Sequence, residues 1–131
     1  QDQRLITVTR EALERALAKV APGVKTSLLS KTIQQWCEGN GFDVIRDLSG
    51  HGIGHNLHEE PSIFCYYDSR HPDSVLKEGM VICIEPMVVI GDWHVTTDDD
   101  QWTIRTKDGS RAAHFEHTIA VTKDGYEILT K

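Results

Sequence analysis

The 131 residues suffice for one compact domain and are too few for two with separate cores. Hydrophobic residues at 39% and charged residues at 26% are ordinary for a soluble globular chain. A net charge of −6 argues against nucleic acid or an anionic membrane as the main partner, since both reward a basic face.

The longest apolar stretch, 80–90, is interrupted by Glu85 and Pro86 and is too short to span a bilayer. No signal peptide opens the chain, so the expectation is a cytoplasmic protein with no membrane partner. The start at Gln1 rather than Met suggests a processed or excised piece of something longer. Cys37, Cys65 and Cys83 form no C-x-x-C pair, which favours reduced, buried thiols over a zinc ribbon or redox motif.

Two helices are predicted first. Thr9 is a candidate N-cap, Glu11 sits in the first turn, and Leu13, Leu17 and Val20 form an apolar stripe that Pro22-Gly23 ends. The second helix starts near Ser27, repeats the spacing at Leu29, Ile33 and Trp36, and stops at Asn40-Gly41. Residues 43–46 then read as a short strand. Further strands are expected over 62–66, 80–90, 93–97, 102–106, 112–121 and 126–129, with Asp98-Asp99-Asp100, Lys107-Asp108-Gly109 and Lys123-Asp124-Gly125 as turns. Helices followed by antiparallel strands indicate an α+β fold, two helices packed on one sheet, in a single domain over 1–131. The acidic triplet reads as a solvated hairpin tip rather than a metal site.

Chemistry concentrates in three places. Gly50-His51-Gly52-Ile53-Gly54, followed by His55 and His58, reads as a glycine-rich loop that lets another group approach closely. It matches neither G-x-x-x-x-G-K-[ST] nor G-x-G-x-x-G, so a phosphate loop is disfavoured. Glu85 lies inside an apolar strand, where a carboxylate needs an ion pair, an exposed face or a cation. Glu116 repeats the pattern within 112–121, and alternation puts His114, Glu116 and Thr118 on one face with Phe115, His117 and Ile119 on the other. Two carboxylates in separate strands plus a histidine suggest one shared cation, with Mn, Fe, Co or Zn suited better than Ca or Mg.

These residues, taken in order, resemble the signature of type I methionine aminopeptidases. The resemblance rests on Gly50-His51-Gly52-Ile53-Gly54, His58-Glu59-Glu60-Pro61, Lys77-Glu78-Gly79-Met80, Ile84-Glu85-Pro86-Met87, Trp102-Thr103 and Phe115-Glu116-His117-Thr118. It covers nearly the whole chain. Prolidases and aminopeptidase P share related patterns, but usually carry an Arg-x-Glu arrangement where this chain has Phe115-Glu116-His117-Thr118.

The resemblance implies a pita-bread fold, of the creatinase/aminopeptidase kind, and a two-metal site using Mn, Fe, Co or Zn. His51 and Glu85 would be terminal ligands of one metal, and Glu116 would bridge to the second. Glu85 would move the proton of the attacking water. His58 would contact the scissile amide, and Trp102 would line the approach to the cleft, unless it is an ordinary half-buried sheet tryptophan. The implied reaction is removal of the N-terminal methionine from peptides or nascent proteins.

The family's two aspartate ligands and a further histidine belong to a segment expected before Gln1. The chain is therefore expected to be a C-terminal portion, incomplete as a site, that binds one metal weakly and is nearly inactive alone. The alternatives are a non-catalytic binding module of the same fold, or one subunit of a split enzyme completed by a partner segment or by self-association.

Overall fold

The computed structural model describes residues 1–130. Two helices, α1 (Asp2–Leu17) and α2 (Thr26–Gly39), precede ten strands. These are β1 (Asp43–Val44), β2 (Ser49–Gly52), β3 (Glu59–Phe64), β4 (Val81–Ile84), β5 (Met87–Val89), β6 (Val95–Thr97), β7 (Ile104–Thr106), β8 (Ala112–His114), β9 (His117–Thr122) and β10 (Gly125–Ile128). The α+β class expected from the sequence is the one observed.

Helix α1 begins eight residues earlier than expected, with Gln1 rather than Thr9 at the cap position. Thr9 is no cap: it is fully buried in mid-helix, where its hydroxyl donates to the Leu5 carbonyl at 2.7 Å. That back-bond satisfies a hydroxyl that would otherwise favour a helix end. With Leu5 and Val8 added to Ala12, Leu13, Ala16 and Leu17, the buried stripe spans the whole helix. Helix α2 buries Leu29, Ile33 and Cys37, while Trp36 is half-buried beneath the Arg15 guanidinium, 3.5 Å from its ring centre. The two helices pack on each other, α1 reaching β4, β5 and β8 and α2 reaching β1 and β3.

All the strand pairs are antiparallel. A five-stranded sheet runs β10-β9-β4-β2-β3, a three-stranded sheet β1-β5-β8, and β6-β7 is a separate hairpin. One buried cluster, from Leu5 through Ile33, Val44, Ile63, Ile82, Ile84 and Val88 to Ile119, joins both helices to the two larger sheets. Cys37, Cys65 and Cys83 are free and buried within it or at its edge. Burial pushes the Cys37 and Cys65 thiols up to about 12. Among the described residues no helix is long and apolar enough to cross a membrane.

Three strand expectations change. The glycine-rich segment is a loop only in its second half: Ser49–Gly52 is strand β2, lying between β3 and β4, and the turn follows from Ile53. Its glycines are demanded by proximity. A Cβ on Gly50 would stand 2.3 Å from the Cys83 carbonyl oxygen, and one on Gly52 would stand 2.2 Å from that of Glu60. The stretches 80–90 and 112–121 are each broken in two, at Glu85-Pro86 and at Phe115-Glu116. Proline has no N–H for a ladder, so a central strand cannot run through Pro86.

Candidate metal centre

The two breaks lie opposite each other. Below them Ile84 pairs with His117, and above them Met87 pairs with His114, with the register unchanged. The intervening residues therefore face each other across the ribbon, Glu85 against Glu116 and Pro86 against Phe115. The Phe115 N–H still reaches the Pro86 carbonyl, at 3.4 Å. Like charges placed opposite on paired strands are destabilising. The arrangement thus needs a positive partner.

Imidazoles supply the neighbours. On β2, His51 pairs with Cys83 of β4, which pairs in turn with Thr118 of β9. Three adjacent strands so bring His51 beside the break, where its Nε2 is 3.5 Å from Glu85 Oε1. On the other side His114 Nε2 is 3.1 Å from Glu85 Oε2. The Glu85 carboxylate pushes His114 above its ordinary value, against partial burial of the ring. Ligand atoms of Glu85, His114 and Glu116 all lie within 4.8 Å of one another, as do those of His51, Cys83 and Glu116. Glu116 is common to both sets.

The two ring nitrogens of His51 face different partners. Its Nδ1 is 2.7 Å from the Gly52 carbonyl oxygen, which can only accept, so Nδ1 carries the hydrogen. Nε2 then faces a carboxylate oxygen. The two atoms stand 3.5 Å apart, a separation that two ligands of one cation can span. Glu85 and His51 are 13% and 12% exposed in their side chains, so water contributes little. No Lys or Arg forms an ion pair with Glu85 or Glu116 among the described residues. A carboxylate–imidazole donor set of this kind fits a divalent first-row metal.

The expected residues thus converge: His51 and Glu85 meet directly, and Glu116 faces Glu85. One detail differs. Both carboxylates were expected to be buried inside strands, whereas both sit at strand breaks and Glu116 is exposed. His58 lies on the exposed turn between β2 and β3, its ring centre 4.3 Å from that of His51. That turn is held by Glu59, whose Oε1 accepts the Asn56 N–H at 2.8 Å.

Trp102 is 85% exposed on the β6-β7 hairpin and makes no part of the donor cluster, so it is not a half-buried sheet tryptophan. Asp100 in the same turn accepts the N–H groups of Trp102 and Thr103, at 2.9 and 2.8 Å, consistent with a structural hairpin tip.

Two neighbours were not singled out as site residues. Cys83 Sγ lies 3.2 Å from Thr118 Oγ1 behind His51, and burial raises its thiol. His114 shared a face with Glu116 in the alternation, and that was the signal available for it.

The family model described as Metallopeptidase family M24 matches residues 1–123. A methionine aminopeptidase of Mycoplasma capricolum is 50% identical over 127 residues, which cover 97% of this chain and 50% of that protein. A methionine aminopeptidase of Escherichia coli is 48% identical over 128 residues, 98% of this chain and 48% of its own length. Among solved structures, methionine aminopeptidase from Thermotoga maritima superposes with a TM-score of 0.92 at 50% identity, covering 98% of this chain and 51% of that one. The chain spans about half the length of the curated relatives it matches.

Proposed function

This chain belongs to metallopeptidase family M24 and has the pita-bread fold, and from that premise we propose that it carries one side of a metal-dependent methionine aminopeptidase site. The observation that carries the proposal is His51 Nε2 facing a Glu85 oxygen at 3.5 Å, with Glu85 itself opposite Glu116 and no Lys or Arg paired to either carboxylate among the described residues. The 131 residues form a single unit corresponding to the C-terminal part of the catalytic domain.

His51, Glu85 and Glu116 would hold a divalent cation, Mn, Fe, Co or Zn, and a complete site would hold two. When bound, the metal supplies a water of lowered pKa and a Lewis acid for the scissile carbonyl. Glu85 accepts the proton of the attacking water at a carboxylate oxygen and delivers it to the departing amine. His58, on its exposed turn beside His51, reaches the substrate amide and offers an N–H to the oxygen that gains charge. Trp102 projects from its hairpin, and by the resemblance it would line the approach to the cleft. The substrate is the N-terminal methionine of a peptide or nascent protein.

By the family resemblance, a second cation would be completed by two aspartates, and the catalytic set by a further histidine, from another segment or another copy. The test is methionine release from a short Met-Gly peptide with Mn present. The chain alone should release almost none. Adding a separate segment that bears the aspartates should restore release, and Glu85→Ala should abolish it. Glu85-dependent release by the chain alone would refute the divided site, and silence in both arms would refute the peptidase reading.

A further inference from the structure

His114 is the last residue of β8, and its side chain is 47% exposed. Its ring makes no hydrogen bond except the contact with Glu85, among the described residues. Its Nε2 faces Glu85 Oε2 at 3.1 Å, while the second oxygen of the same carboxylate faces His51 Nε2 at 3.5 Å. Glu85 is thus clasped between two imidazoles that approach different oxygens. Nitrogen and oxygen donors about 2.1 Å from a common first-row cation stand roughly 3.0 to 3.5 Å apart, from near right angles to tetrahedral. Both separations fall in that range. Glu116 closes the set, its ligand atom within 4.8 Å of those of Glu85 and His114.

We propose, resting on the reading that this centre binds a divalent cation, that His114 is a further metal ligand, acting through Nε2 together with Glu85 and Glu116. All three come from the paired ribbon β4-β5 and β8-β9, so the site needs no other segment to form. The ligand it takes is a cation that accepts both imidazole and carboxylate, zinc or cobalt before calcium or magnesium. A ring held only by hydrogen bonding would instead orient Glu85 and leave the cation to others.

Imidazole nitrogen NMR of the 131-residue chain titrated with zinc separates these cases, with calorimetry of the same titration for affinity. Zinc should move the Nε2 resonances of both His51 and His114 to the metal-bound position. His114→Gln keeps an N–H for Glu85 but removes the ligand, and should weaken zinc by at least about 10-fold. His55→Gln, at an exposed position, should change nothing. If zinc moves His51 but leaves His114 Nε2 protonated, and His114→Gln binds as the parent does, the proposal is wrong while the metal centre stands. If zinc binds nowhere near His51, the metal centre fails and the proposal with it.

Discussion

Glu116→Gln should make the metal-free chain more stable and the metal-loaded chain less so. Glu85 and Glu116 face each other across the ribbon, with ligand atoms at most 4.8 Å apart. Two unit charges at that separation repel by about 0.9 kcal/mol in water and about 3.5 kcal/mol at an effective dielectric of 20. Glu116 is exposed, so the lower end applies, and removing its charge should gain about 1 kcal/mol. For a chain of this size that is a rise in Tm of about 4 °C in EDTA. A cation present at 100 times its Kd stabilises the parent by about 2.7 kcal/mol, more than the repulsion removed, so the order of melting should reverse. The assay is thermal unfolding of both proteins in EDTA and in saturating Mn. A variant that melts lower in EDTA, or that gains as much from Mn as the parent, would refute the idea that the two carboxylates are held together for a cation.

Gly52→Ala would place a Cβ 2.2 Å from the Glu60 backbone oxygen, so β2 and β3 must part. A loss of about 3 kcal/mol by urea unfolding is expected. Cys37 and Cys65, buried and pushed to about 12, should resist a thiol reagent at pH 8 until the chain unfolds. Because their folded values lie above the ordinary thiol value, their contribution to stability is complete below about pH 9 and declines from there to about 12. The urea midpoint should fall across that window. Trp102→Ala should alter stability by less than about 0.5 kcal/mol, since the ring is 85% exposed, and on the proposed function should raise KM for peptide in the completed enzyme. A large loss of stability would mean that Trp102 serves the fold.

Much of this was legible in the chain itself. The helix stripes gave α2 almost to the residue, because Leu29 and Ile33 repeat cleanly and Asn40-Gly41 is an unambiguous stop. The start of α1 was missed because Thr9 has cap chemistry, and only tertiary burial shows its hydroxyl turned inward to Leu5. Gly50 and Gly52 looked like loop residues because their pattern does not distinguish a flexible backbone from one crowded by neighbouring strands. His51, Glu85 and Glu116 stood out singly as polar groups in apolar or glycine-rich surroundings. Their convergence depends on the register shared by β4-β9 and β5-β8, a long-range property that periodicity within one strand does not encode. Pro86 was the one local hint that a strand ends beside Glu85.

The central claim is that His51, Glu85 and Glu116 form a cation site, and calorimetric titration of the 131-residue chain with cobalt tests it most directly. One cobalt per chain should bind the parent, and Glu85→Gln and His51→Ala should each weaken it by at least about 10-fold. No binding by the folded parent, or binding indifferent to both substitutions, would contradict the account.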